Sequence, residues 1–245
     1  MTMMNANNLH AEPKFCAQLN GMRRPRASAA KVEQNKHGKR DQKPDSALQS
    51  LFDDNAFQQV FKPDSTLLLH GYPVDAIYQI VSGTVRCCTI SEEGGRQIFR
   101  FAKKGEFLGF SDIDTWHFTA EAVDHVIVKS IPRATVEQAL AVNIPLRQEI
   151  RAHICNQLQT REQQLLSLIS SKAPERLFQF LRDFAATRKG SGFIVLPMCR
   201  RDIADHLGMT IETASRAFSA LKTSGRIEMA CAEKFRIRPE LQSLT

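Results

Sequence analysis

The chain lacks any run of about 18 consecutive apolar residues, so no segment has the composition of a membrane-spanning helix. Its first residues also lack the apolar core of a signal peptide, and the expectation is a cytosolic protein with no membrane partner. The six cysteines, Cys16, Cys87, Cys88, Cys155, Cys199 and Cys231, contain no C-x-x-C pair, and a cytosolic setting disfavours structural disulfides. Most are expected to be small buried hydrophobes, with adjacent Cys87 and Cys88 on opposite faces of a strand. The seven histidines show no metal-ligand spacing, which argues against zinc. Residues 172–245 contain no phosphate-cradling glycine loop and no nucleophile motif, so no catalytic module is expected there.

What is present is enough to fold. A length of 245 residues with 42% hydrophobic content allows one or two packed domains. The net charge of +7 is unevenly spread: +5 over residues 1–46, −3 over 47–171 and +5 over 172–245. Cationic ends attract phosphate backbones, but charge alone does not choose among DNA, RNA and acidic lipid.

The texture changes along the chain. Residues 1–46, with "RRPRASAAKVEQNKHGKRDQKPD", read as a basic flexible tail. Residues 47–132 are short β-type runs punctuated by Gly83, Gly94, Gly95, Gly105 and Gly109, the pattern of an antiparallel barrel or jelly roll. After Pro132 the period becomes helical, and residues 133–171 hold a linker and one helix of roughly 24 residues, long for a globular domain. Its apolar stripe runs through Leu146, Ile150, Ile154 and Leu158, with Leu165 and Leu168 extending it and Gln157 and Arg161 interrupting it. Such a stripe predicts pairing with a second copy, the alternative being packing on its own β domain.

Residues 172–245 begin with a helix whose Leu177, Phe180, Leu181 and Phe184 share a face. A short strand, a helix, a turn at Gly208, a second helix and a β-rich hairpin ("GRIEMA", "KFRIRP") follow, which is the order of a winged helix-turn-helix. The chain is thus expected to be α+β, with an N-terminal β-roll, a long dimerisation helix and a C-terminal winged helix-turn-helix. In "TIETASRAF", turning each residue by about 100° places Ala214, Phe218 and Leu221 on one arc and Glu212, Ser215 and Arg216 on the other. Near the start of a second helix, those polar side chains are the ones that reach base edges in the major groove. Arginine suits guanine O6 and N7, and glutamate can accept from cytosine N4.

These motifs carry a resemblance. "IYQIVSGTVR", "GEFLGF", "SIPR" and "RRDIADHLGMTIETASRAFSALKTSGRI" are similar, in order and spacing, to segments of the CRP/FNR superfamily of bacterial transcription regulators. The last resembles the E-x-x-S-R recognition helix of the FNR and FixK branch. The resemblance implies a homodimer on double-stranded DNA at a palindrome of TTGAT-type half-sites, activating transcription through RNA polymerase, in circuits for low oxygen, respiration or nitrogen metabolism. It also implies phosphate contacts at Arg200, Thr210 and Thr213.

No cofactor is expected. Phe110 and Ser111 stand where family members that bind cyclic nucleotides carry a ribose-binding glutamate, and Phe118 and Thr119 where they carry an Arg-Ser or Arg-Thr pair. Without that arginine a buried phosphate would lose its countercharge. An iron-sulfur cluster needs four thiolates, yet the N-terminal region offers Cys16 alone and Lys129 takes the place of the barrel cysteine. No Cys/His axial pair for haem is evident. A small-molecule effector in the roll, and repression in place of activation, remain alternatives. Cys199 precedes the first helix of the DNA-binding pair, where the family commonly has a capping hydroxyl. A helix N-terminus together with Arg200 and Arg201 would favour thiolate, making Cys199 a candidate for oxidation.

Overall fold

The computed structural model describes residues 46–110, 114–186, 188 and 192–238. The basic segment before Ser46, with Cys16, and also Ser111 lie outside the described residues. The chain opens with helix α1 (Ala47–Asn55), capped by the Ser46 hydroxyl, which accepts from Gln49 N at 3.1 Å. Eight strands follow: β1 (Phe57–Phe61), β2 (Thr66–Leu68), β3 (Ala76–Ser82), β4 (Thr84–Ile90), β5 (Arg96–Lys103), β6 (Phe107–Leu108), β7 (Thr119–Ala122) and β8 (Val126–Pro132). They make two four-stranded antiparallel sheets, β1-β8-β3-β6 and β2-β7-β4-β5, so the roll is a sandwich with no closed barrel. Its interior holds Ile80, Val85, Cys87, Ala102, Ala120 and Val128, the inward half of each alternating strand.

The turn between β3 and β4 depends on Gly83. Its φ of +88° is open to glycine, and a Cβ there would sit 2.5 Å from His125 O and 2.9 Å from Val126 Cα. One residue beyond Cys87 the β4–β5 register shifts, Cys87 pairing with Arg100 and Cys88 with Ile98. Cys87 points into the roll, where burial pushes its thiol up to about 12, and Cys88 points out of it into a second core. Cys155, Cys199 and Cys231 are exposed, so the expectation that most thiols would be interior is corrected. These three lie on the free side of a helix, at a helix cap and at the tip of a hairpin, where no second layer covers them.

Helix α2 (Arg133–Val142) leads into α3 (Ile144–Ser170), 27 residues and about 40 Å long. Asn143 caps α3, its side chain accepting from Leu146 N at 3.0 Å, and Pro145 stands in the first turn. The expected stripe divides. Leu146 and Ile150 are buried against Leu48 and Phe52 of α1 and Ile77 and Ile131 of the roll, which removes them from any contact with a second copy and corrects that part of the expectation. The physical reason is α1, which covers the first turns of α3 and was not foreseen. Farther on the stripe emerges, with Ile154 45%, Leu158 58% and Leu165 59% exposed. Among the described residues no helix is long and apolar enough to cross a membrane.

The C-terminal part comprises α4 (Ala173–Ala186), β9 (Ile194–Val195), α5 (Arg200–His206), α6 (Ile211–Thr223), β10 (Ile227–Cys231) and β11 (Lys234–Ile237). Its core is Leu177, Leu181, Phe184, Ile203, Phe218, Leu221, Ile227 and Phe235, and the roll joins it through Cys88, Ile98 and Phe101. His206 sits at that junction, its Nδ1 donating to Ile98 O at 3.0 Å while Phe101 and Phe180 flank the ring. Burial holds its pKa down to about 4.

Replacing Gly83 with alanine should destabilise the roll by about 2–4 kcal/mol in urea unfolding, from the left-handed backbone and the carbonyl clash together. His206 predicts a pH slope. Its folded value lies below the ordinary 6.5, so the unfolded chain takes up the proton first as pH falls. The stabilisation is complete above pH 6.5 and is lost as pH falls from there toward 4, to a total of about 3 kcal/mol. Urea unfolding across that window should show this slope, and His206→Gln should flatten it.

Candidate nucleic-acid interface

Helix α6 is amphipathic in three dimensions as in sequence. Ala214, Ala217, Phe218 and Leu221 are buried, whereas Glu212, Ser215, Arg216 and Ser219 are exposed. The helix starts where a polar N-terminus needs it to. Thr210 is the cap, its hydroxyl accepting from Thr213 N at 3.2 Å and sharing a hydrogen bond with the Thr213 hydroxyl at 3.1 Å. Because the Thr210 hydroxyl donates to the Glu212 carboxyl, the Thr213 hydroxyl is the donor in that shared bond. Gly208, with φ +59°, turns the chain between α5 and α6.

The two charged side chains are preset. A hydrogen bond from its own backbone N–H, another from Thr210 and the Arg216 charge hold the Glu212 carboxyl below the ordinary carboxylate range, so near neutrality it only accepts. Arg216 leans along the same face, its Nη2 3.4 Å from Thr213 Oγ1, leaving other guanidinium donors toward solvent. Glu212, Ser215 and Arg216 are therefore brought together on one exposed strip. Thr210 and Thr213 border it at the helix start.

Arg200 departs from expectation. Its guanidinium lies 3.2 Å above the Phe218 ring, Nη2 donates to Ala232 O at 3.1 Å, and Nη1 is buried with no partner among the described residues. Stacking and the wing carbonyl compete with water for this group, and burial lowers its pKa. It braces the β10–β11 turn against α6 in place of standing free for a phosphate. Cys199 is the N-cap of α5, exposed, with no side-chain hydrogen bond to the helix.

One group of residues was missed. Asp202, Asp205 and His206 occupy one face of α5 and turn toward the roll, where Arg86 and Arg96 meet the carboxylates. The i, i+3, i+4 spacing of three polar residues opposite Ile203, Ala204 and Leu207 was the available signal.

Aromatic rings meet inside the roll. Trp116 and Phe118 are buried with centroids 5.5 Å apart, Phe99 meets Phe118 at 5.4 Å and Tyr78 meets Trp116 at 6.4 Å. A cavity of about 70 Å³ beside these rings is lined by Val74, Trp116, Phe118 and Arg161 among others. A larger open cleft of about 780 Å³ lies between β5, α3 and α4, lined by Arg100, Lys103, Arg161 and Phe180 among others. Among the described residues no group of three or more His, Cys, Asp or Glu could hold a metal ion.

Comparison with known proteins agrees with this geometry. The cyclic nucleotide-binding domain family matches residues 58–143 and the Crp-like helix-turn-helix domain family matches residues 175–240. The chain is 32% identical over 178 residues to Electron transport regulator A of Shewanella oneidensis, covering 70% of this chain and 68% of that protein. It is 32% identical over 186 residues to the nitrogen fixation regulation protein FixK of Rhizobium meliloti, covering 75% and 85%. The structure of FixK2 from Bradyrhizobium japonicum is similar with a TM-score of 0.72 and 30% identity, over 75% of this chain and 93% of that one. With both domains in this order and relatives matched along most of their length, the chain belongs to the CRP/FNR family of transcription regulators, in its FixK-like branch.

Proposed function

We propose that this regulator binds a palindromic DNA site as a homodimer, reads each half-site with Glu212, Ser215 and Arg216, and activates transcription through RNA polymerase. The observation that carries the reading is the exposed Glu212–Ser215–Arg216 strip on a helix whose other face is buried in a winged helix-turn-helix. Thr210 and Thr213 donate to backbone phosphate, which positions the helix without reading sequence. Arg200 acts one step back, holding the wing. The half-site is of the TTGAT type, as the resemblance of its recognition helix implies, and the genes served are those of low oxygen, respiration or nitrogen metabolism, as the names of its relatives favour. The second copy meets Ile154, Leu158 and Leu165, the part of the α3 stripe that its own chain leaves uncovered.

The protein works without cyclic nucleotide or iron-sulfur cluster. Supporting this, Trp116 and Phe118 fill the roll where a nucleotide would lie, and Lys129 is paired with Asp53 at the position of the barrel thiolate. A second reading, gating by an unidentified small molecule, is favoured by the cleft between β5, α3 and α4. Purified protein that binds its palindrome fully with nothing added would exclude an obligatory ligand. Cys199 adds redox control. Its exposed sulfur at the start of α5 is open to peroxide, and a sulfinate there would press negative charge toward DNA.

Arg216→Ala should remove about 1–3 kcal/mol of discrimination at one base pair, whereas Thr213→Val and Arg200→Ala should weaken matched and mismatched duplexes alike. Equal effects of Arg216→Ala on both duplexes in a binding titration would remove the base-reading assignment. Peroxide should abolish DNA binding by the wild type and spare Cys199→Ser; equal loss in both would leave Cys199 a plain cap residue.

A further inference from the structure

Helix α5 has seven residues and presents Arg201 to solvent, while its acidic residues and its histidine turn inward. Ile203, Ala204 and Leu207 belong to the core of the DNA-binding domain, and Asp202 and His206 are buried against the roll, with Asp205 partly so. The side chain of Asp202 is 4% exposed and lies between two guanidiniums of the outer sheet: Oδ2 is 3.3 Å from Arg86 Nη1 and Oδ1 is 2.5 Å from Arg96 Nη2. Arg96 also donates through Nε to Asp205 Oδ2 at 2.9 Å, forking across both carboxylates of the helix. Arg86 is itself held by Glu121 of β7 at 2.7 Å and by Asp64 at 3.0 Å. Two arginines of the roll thus face four carboxylates, two from the roll and two from α5. Every one of these groups is an ion-pair partner, and none faces the strip on α6.

The only covalent path from α3 to the DNA-binding domain is the short joint at Ser171 and Lys172, where Ser171 is extended (φ −110°, ψ 145°). Arg176 Nη1 spans it, donating to Leu168 O at 2.9 Å. Apolar contact through Cys88, Ile98 and Phe101 keeps the domain on the roll but is non-directional, so it tolerates sliding and rotation. A forked guanidinium on two carboxylates is directional, as is the His206 bond to Ile98 O. Since α6 packs directly on α5, whatever orients α5 on β5 orients the reading strip.

We propose that Arg86 and Arg96 are positioning residues for DNA recognition: by holding Asp202 and Asp205 they lock each winged helix onto its own roll at the angle that sets the separation of the two recognition helices. The lock replaces the ordering that a bound effector would otherwise have to supply, and it rests on the reading of α6 as the DNA-reading helix. Two such helices must stand about one duplex turn, roughly 34 Å, apart. A domain free to pivot at Ser171 would hold that separation only part of the time, and its affinity for a palindrome would fall by that fraction.

The test uses the full chain with spin labels on unnatural residues at exposed Gln58 in the roll and exposed Lys222 in α6, measuring distance distributions without DNA, and in parallel binding to a palindrome, to the same site with one base pair inserted, and to an isolated half-site. The wild type should give a narrow distribution and lose affinity steeply with the insertion. Arg96→Glu should broaden the distribution, weaken palindrome binding on the order of tenfold and flatten the spacing dependence, with half-site binding unchanged. Combining it with Asp205→Arg should restore the narrow distribution and the spacing preference, which general loss of stability would not permit. Asp205→Asn, a milder change, decides the matter should Arg96→Glu fail to fold, and it should fall between wild type and Arg96→Glu. A wild-type distribution and spacing profile in Asp205→Asn or a folded Arg96→Glu, or no rescue by the double variant, overturns the proposal. If instead the wild type ignores palindromes while the distances behave as expected, the lock stands and the functional reading falls.

Discussion

A carboxylate taken out of water needs its countercharge, and Asp202 is such a group. Stranding a buried charge of this kind by removing its partner typically costs about 3–5 kcal/mol, so its exclusion from solvent and its contact with Arg86 and Arg96 are one fact. The rest of the C-terminal architecture follows from that docking. With α5 pinned on β5, its apolar face closes the core with Leu181 and Phe218, α6 has one buried and one free side, and the free side carries Glu212 and Arg216. His206 extends the same constraint. Burial between Phe101 and Phe180 keeps it neutral, and the Ile98 carbonyl accepts its Nδ1 proton.

The roll matches the cyclic nucleotide-binding domain family, and aromatic rings meet in its interior. Trp116 and Phe118 complete the hydrophobic core of a small sandwich. Such a domain makes a rigid mounting. One sheet, through β4 and β5, carries the winged helix, and the other packs with α1 and the first turns of α3. From Ile154 onward the α3 stripe is left uncovered by its own chain.

Much of this was legible in the residues because the signals were local and periodic. Ala214, Phe218 and Leu221 recur at helical spacing, and all three are buried. Gly208 marked the turn. The boundaries of the long helix were short by about three residues, since Pro145 sits inside its first turn and Ser170 ends it without a glycine. Strands β1 and β7 carry weak sequence signals. The first has the exposed apolar residues Phe57 and Val60 at a sheet edge, and the second is four residues with two small alanines, so neither shows clean alternation of large and small. Helix α1 was hidden for a similar reason, with only Leu48 and Phe52 as anchors in nine residues.

The divided fate of the α3 stripe and the inward turn of Arg200 illustrate the same limit. Leu146 and Leu158 look alike in sequence and differ because one lies beneath α1 and the other does not. Arg200 reads as a free cation until Phe218, eighteen positions later, is placed under it. Helical period and turn chemistry depend on neighbours within a few residues, and those the sequence determined by itself: the winged helix, the exposed polar strip on α6 and the long helix. Which faces meet, and therefore whether a charge sees solvent, a ring or a carboxylate a hundred residues away, was decided by tertiary structure alone, because ion pairing and burial act through space with no regard to separation along the chain.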